Sequence, residues 1–117
     1  MKETIIIIGD LQVWSEDLGK MTWEEAKESC ASLSNGWRLP TLAEFKKTLY
    51  PDRSGIPNTD SNYYWSSTDY DYDTNTMWIF HFLNGKASLT NKHNTYYVRP
   101  VRDFTGEIAL DLLLKEF

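Results

Sequence analysis

The chain carries a single cysteine, Cys30, which excludes an intrachain disulfide and any cysteine-rich zinc site and leaves packing alone to hold the fold. On the first expected helix it reads as a small buried hydrophobe rather than a reactive thiol. Positive charge is scarce: 12 Lys and Arg stand against 17 Asp and Glu, for a net charge of -5 and a pI near 4.9. Proteins that grip a phosphate backbone concentrate basic side chains on one face, so nucleic acid is not an expected partner. Long apolar runs are missing too. Nothing approaches the roughly 20 residues that a membrane-spanning helix needs, and the segment from Met1 to Ile8 lacks the long apolar stretch and cleavage site of a signal peptide. The expected setting is therefore cytoplasmic, or within an assembly at a cell surface or in a virion that leaves by lysis. Only two histidines occur, His81 and His93, and neither has a motif partner, so neither a nucleophile nor an acid and base pair can be assembled and no enzyme is expected. The most informative absence is local. Residues 69 to 97 contain no Glu and no Gln, although Asp occurs there three times and Glu is frequent earlier. Solvation alone does not separate Asp from Glu so cleanly.

A length of 117 residues fits one domain. The expected division is a domain over 1–105 and a helical tail over 106–117. Ile5 to Ile8 is a short β-branched apolar run and reads as a buried strand before the Gly9-Asp10 turn. Thr22 with Glu25 makes a capping box, Trp23, Ala26, Cys30 and Leu33 fall at helical spacing, and Asn35-Gly36 supplies the stop. A second box at Thr41 and Glu44 opens a helix with the stripe Leu42, Phe45 and Leu49, ending at Tyr50-Pro51. Residues 51 to 62 read as a surface loop, and beyond them the signals are β. Trp78, Phe80 and Phe82 alternate with Ile79, His81 and Leu83, which places the aromatics inside and the others outside. Asn84-Gly85 is a hairpin turn leading into a partner strand from Lys86 to Thr90, and Tyr96 to Val101 reads as a further strand with Pro100 near an edge or bulge. In the tail, Ile108, Leu110, Leu112, Leu113, Leu114 and Phe117 cover more than one side of a helix, so it either packs on its own domain or docks on another subunit.

From Tyr64 to Arg102 two sequences are interleaved. One is a frame: Tyr64, Trp65, Ser66, Ser67, Thr68, Trp78, Phe80, Phe82, Gly85, Lys92 and Val98-Arg99-Pro100-Val101-Arg102. The other is a filler of Asp, Asn, Tyr, Thr, Ser and His. Arg38, Arg99 and Arg102 read as forked donors that tie loop carbonyls and carboxylates, and Trp37 and Trp65 as anchors. The filler offers a candidate ligand face of Asp69, Tyr70, Asp71, Tyr72, Asp73, Asn75, Ile79, His81, Leu83, Asn84, Ser88, Thr90, Asn91, His93, Asn94, Thr95 and Tyr96. Tyr supplies contact area at low entropic cost and the small polar residues supply adaptable hydrogen bonds. Asp69, Asp71 and Asp73 imitate half of a calcium loop, but Thr74 stands at the glycine position and Phe80 at that of the bidentate glutamate, so no metal or cofactor is expected.

At Trp23, Ala26, Cys30, Gly36-Trp37-Arg38-Leu39-Pro40-Thr41, Glu44, Tyr64-Trp65-Ser66-Ser67-Thr68, Trp78, Phe82, Gly85 and Val98-Arg99-Pro100-Val101-Arg102, the chain resembles a bacterial C-type-lectin-like family over residues 14 to 102. The resemblance implies an α+β fold, two helices packed on a small twisted antiparallel sheet, here with an added C-terminal helix. Members often carry a cysteine between the two Val-Arg pairs, where this chain has Pro100. The calcium-dependent sugar motifs of animal lectins are absent, as are the cysteine and metal residues of the lectin-like formylglycine-generating enzymes. Within the family the filler looks most like that of the variable proteins of diversity-generating retroelements, which are rewritten at adenines. An Asn codon ending in a pyrimidine, altered at its adenines, reaches Asp, Tyr, His, Ser, Thr, Ile and Leu but never Glu, Gln, Lys, Met or Trp. Among the filler positions from 69 to 97, only Met77 and Lys86 lie outside the reachable set.

The function expected from these readings is a non-enzymatic receptor-recognition or adhesion module of a phage, prophage or bacterial surface-display protein. Its partner would be a host or bacterial cell-surface protein or glycan. The alternative is a structural or assembly protein of a virion or other oligomeric particle, with contacts between copies made through the C-terminal helix.

Overall fold

The computed structural model describes residues 5–57, 59 and 62–104. The chain runs through β1 (Ile5–Ile8), β2 (Leu11–Trp14), β3 (Lys20–Met21), α1 (Trp23–Ala31), α2 (Leu42–Glu44) continuing into a π turn (Phe45–Leu49), a tight single turn (Arg53–Gly55), β4 (Tyr63–Asp69), β5 (Thr76–His81), β6 (Lys86–Asn91), β7 (Tyr96–Tyr97) and β8 (Val101–Asp103). The helix expected over 106–117, and with it the division at 105, lies outside the described residues.

Both capping boxes form. Thr22 Oγ1 accepts the Glu25 N–H at 3.4 Å while Glu25 Oε1 accepts the Thr22 N–H at 3.0 Å, and Thr41 and Glu44 make the same reciprocal pair at 3.1 and 2.9 Å. Each satisfies donors that the first turn of a helix leaves without partners. The second helix is shorter than its apolar stripe suggests. After one α turn it widens, and the Tyr50 N–H reaches back five residues to the Phe45 carbonyl at 2.8 Å; Pro51 follows and has no N–H with which to continue.

The strands form two sheets, one of order β1-β2-β8 and one of order β3-β7-β4-β5-β6. The second is covered on both faces, and alternation along β4 and β5 decides what goes where. Tyr64 opposite Phe80 faces a core of Ile8, Leu11, Val13, Phe45, Leu49, Ile56, Phe82 and Val101. Trp65 opposite Ile79 faces a second core with Trp23, Ala26, Cys30, Leu39, Met77 and Val98 beneath α1. This corrects the expected division of β5: Ile79 is 3% exposed, whereas Trp78 is only half-buried. A sheet buried on both faces has no polar side for the alternation to report.

Three further expectations change. The turn after β5 takes four residues, Phe82 to Gly85, since His81 pairs with Lys86 and the Gly85 N–H donates to the His81 carbonyl at 2.8 Å. Gly85 sits at φ +71, and a Cβ there would meet Tyr50 Cε2 at 2.7 Å, so both backbone and space require glycine. The run Tyr96 to Val101 splits between sheets, because Val98-Arg99-Pro100 crosses from one to the other with its carbonyls taken by Leu18 N–H (from Val98) and Trp14 N–H (from Pro100), both at 2.9 Å. The loop after Pro51 is not wholly superficial, for Ile56 and Thr59 are buried.

The arginines act as forks, as their type suggests. Arg99, 0% exposed, donates to the carbonyls of Trp14 (3.1 Å) and Pro57 (2.7 Å) and to the Tyr64 hydroxyl (3.4 Å). Arg102 donates to Gln12 Oε1 (2.6 Å) and the Asn35 carbonyl (3.0 Å), its guanidinium lying 4.7 Å from the centre of the Trp37 ring. Arg38 grips Glu44 through two bonds of 2.9 Å and Asp103 at 2.8 Å. Burial works to raise the Glu44 carboxyl, but the Arg38 hydrogen bonds, the Thr41 N–H and the adjacent positive charge outweigh it and hold the group below its ordinary value. Burial pushes the Cys30 thiol up to about 12.

Three outcomes are expected. In denaturant unfolding, Ile79→Ala should cost about 2–5 kcal/mol by leaving a cavity, whereas Leu83→Ala, on a side chain 64% exposed, should stay within about 0.5 kcal/mol. Because the folded-state pKa of Glu44 is depressed, its contribution is present above its unfolded value near pH 4.5 and lost as the pH falls through the lower folded value. The stability gap between wild type and Glu44→Gln should therefore be wide at pH 7 and narrow at pH 3. An aromatic disulfide reagent at pH 8 should label Cys30 only when denaturant is added, because the thiol is 1% exposed and un-ionised.

Candidate functional site

The filler residues occupy what the two cores leave. On the side of the sheet shared with α1, the side chains beyond Trp65 and Ile79 are those of Tyr63, His81, Lys86, Ser88 and Thr90, because directly opposed residues in an antiparallel pair project on the same face. Tyr63 stacks on His81, ring centres 4.1 Å apart and planes 17° from parallel. Tyr96 meets the edge of Tyr63 at 5.9 Å and of Trp65 at 5.2 Å, and its hydroxyl lies 3.1 Å from Thr90 Oγ1. Asn94 donates its amide to the same Thr90 oxygen at 2.9 Å. His81, Ser88, Thr90, Asn94 and Tyr96 thus form one patch. Tyr63, which lies just outside the filler, completes it. Alternation back from Trp65 is the sequence signal that would have found it.

The other face carries a second group. Trp78 and Leu89 stand opposite each other there, Tyr70 approaches Trp78 edge-on at 6.1 Å, and Tyr72 meets Tyr70 at 5.4 Å. Leu89 is 41% and Tyr72 86% exposed. Trp78 was not among the expected site residues, having been assigned to the core.

The remaining candidates shape turns. Asp73 accepts the Asn75 N–H at 2.9 Å and the Thr76 hydroxyl at 3.0 Å, bonds that favour its charged form and lower its pKa. Asn84 Oδ1 caps the Lys86 N–H at 3.0 Å, and Asn91 Oδ1 the His93 N–H at 2.8 Å. These short polar side chains imitate a backbone turn. Asp69, Asp71, Leu83, Asn84, His93 and Thr95 are exposed. Ile79 belongs to the second core and is withdrawn from the face. The expected single face is therefore two patches and a set of turns. A small cleft of about 260 Å³, lined by Asp69, Tyr70, Asp71, Asp73, Thr76, Met77 and Lys92 among others, lies at the loop end of the sheet. Among the described residues no group of three or more His, Cys, Asp or Glu side chains is placed to hold a metal ion, and no helix is long and apolar enough to cross a membrane.

No curated protein matches the chain. A family model does, over residues 10–102, that of the Lcl C-terminal domain, and this span takes in β2 through most of β8, both capped helices, the arginine forks and both patches. With that span matched and an α+β architecture of short helices and curled sheets around it, the chain belongs to the Lcl C-terminal domain family, a C-type-lectin-like module.

Proposed function

We propose that this domain is a non-enzymatic recognition module that presents its filler residues to a cell-surface protein or glycan, in a phage, prophage or bacterial surface-display protein. The observation that carries this reading is the division by burial. Tyr64, Trp65, Ser66, Phe80, Phe82, Val98, Arg99 and Val101 are buried, while the filler, apart from Met77 and Ile79, is exposed or half-buried on two patches and in their turns. A scaffold whose stability resides in one set of residues can exchange the other set at little cost. Aromatic side chains ringed by small polar groups are the composition of adaptable binding surfaces. The filler composition supports a further step, that these positions are rewritten by a diversity-generating retroelement.

Two measurements test this. Replacing Tyr70, Tyr72 and His81 together by Ala should weaken binding to the target captured by the wild-type domain from cells by roughly tenfold or more, with the thermal midpoint little changed; undiminished binding sinks the proposed surface. The Tyr70/Tyr72 pair and His81 alone then assign the loss to one patch or the other. The gene's neighbourhood decides on diversification: a near copy of the stretch encoding residues 64 to 102, differing at adenines and accompanied by a reverse transcriptase, is the expected finding, and an intact locus with neither removes it.

A further inference from the structure

Between residues 69 and 97 the frame is aromatic or glycine except at Lys92. The aromatic residues pack and Gly85 turns, but a half-buried lysine just past β6 needs another reason. Its ammonium lies 4.4 Å from the centre of the Trp23 ring, within reach of the attraction between a cation and an indole face. That ring is fixed: Trp23 is 7% exposed, packs in the second core and donates its indole N–H to the Ser66 carbonyl at 3.0 Å. The backbone of Lys92 is tied to the same point. Its carbonyl accepts the Trp23 N–H at 3.2 Å, one of the donors that the first turn of α1 leaves without a partner inside the helix.

Two stretches of filler meet the scaffold at this residue. The Lys92 N–H donates to the Asn75 carbonyl at 2.9 Å, which holds the end of the loop that carries Tyr70 and Tyr72. Within that loop Asp73 accepts the Asn75 N–H and the Thr76 hydroxyl, and the positive charge of Lys92 adds to these bonds in holding its carboxyl below the ordinary value. Lys92 lines the cleft of about 260 Å³ together with Asp69, Asp71 and Asp73, and among the described residues no ion pair ties it to any of the three. Its charge therefore offsets a set of carboxylates that repel one another. On its other side lies the turn after β6. Asn91 accepts the His93 N–H on its side chain at 2.8 Å and the Asn94 N–H on its carbonyl at 3.1 Å, and Asn94 reaches Thr90, which meets the Tyr96 hydroxyl. The loop leads to the Trp78 patch and the turn to the His81 patch.

We propose that Lys92 is a positioning residue of the recognition surface: its ammonium, seated on Trp23 and set among three aspartates, holds the 70–75 loop and the 91–95 turn in fixed relation to each other. Both patches then depend on one residue that belongs to neither. This rests on the binding-module reading and says how its two patches are held together. A neutral side chain of similar length keeps both backbone bonds, so the loop and the turn should loosen while the cores do not.

The variant is Lys92→Met, with Lys92→Arg as its conservative partner, and the readout is amide exchange of the full chain followed by NMR, which needs no ligand. At neutral pH and low salt the Asn75 and Asn94 amides of Lys92→Met, which bond to Asp73 and Asn91, should exchange roughly threefold faster than in the wild type or more, while those of β5, paired on both sides, stay within about twofold. Lys92→Arg keeps the charge over the ring and should restore wild-type exchange. In about 1 M salt, where the screening length falls to about 3 Å, the gap between Lys92→Met and wild type should narrow because the aspartates no longer repel across the cleft. A side chain that only fills space would show no such salt dependence, and a gap that persists unchanged overturns the proposal. So does unchanged exchange at Asn75 and Asn94, faster exchange at only one of them, or an equal rise throughout β5, which would make Lys92 part of the core. The two readings fail separately. Undiminished target binding by the Tyr70, Tyr72 and His81 variant sinks the surface without altering these rates, and unchanged rates overturn the role of Lys92 while leaving the surface standing.

Discussion

Everything in this fold follows from a sheet that is buried on both sides. β4 and β5 carry Tyr64 and Phe80 into one core and Trp65 and Ile79 into the other, so every residue along their centre is committed to packing. Each buried aromatic removes on the order of 150–250 Å² from water, enough for a chain with no disulfide to hold together. The consequence for function is geometric. On the proposed function, recognition falls to the margins: the patch beyond α1, the face beside β6, and the turns at either end of the hairpin.

A double-sided core leaves long connections that must be held, and arginine holds them. Arg99 is fully buried, and among the described residues the oxygens it meets are two carbonyls and a hydroxyl. Three segments converge on that one guanidinium: the end of β2, the loop at Pro57 and the start of β4. A lysine could not fork in this way. Arg38 acts likewise at the second helix, where its bidentate bond holds the Glu44 carboxylate that also accepts the Thr41 N–H of the capping box. The turn residues work at shorter range, Asp73, Asn84 and Asn91 each accepting a nearby N–H. Filler is thus not free of structural duty at those positions.

Much of this could be seen in the sequence. The two capping boxes, the buried Cys30, the arginine forks and the glycine at position 85 were legible because each is a local rule with a single physical cause. What misled was alternation. A strand with one wet face writes its orientation into its sequence, but β5 reads Met77, Trp78, Ile79, Phe80 with apolar groups on both sides, and helices on either face satisfy both. Ile79 was placed outside and Trp78 inside for that reason. The split at Val98-Arg99-Pro100 was marked only by Pro100, which read as an edge or bulge within one strand rather than as a crossing between two sheets. The sequence also could not say that the filler divides into two patches, since that depends on which residues stand opposite each other across β5 and β6.

The central claim is that stability and recognition are carried by different residues of the same short stretch. Saturation substitution from 63 to 97, read by resistance to proteolysis, measures it most directly, because cleavage of the transiently opened chain follows stability. The account predicts intolerance at Tyr64, Trp65, Ile79 and Phe80 and broad tolerance at Tyr72, Ser88, Asn94 and Thr95. Filler positions other than the buried Met77 and Ile79 that prove as intolerant as Trp65 and Phe80 would contradict it and make the whole stretch a structural one.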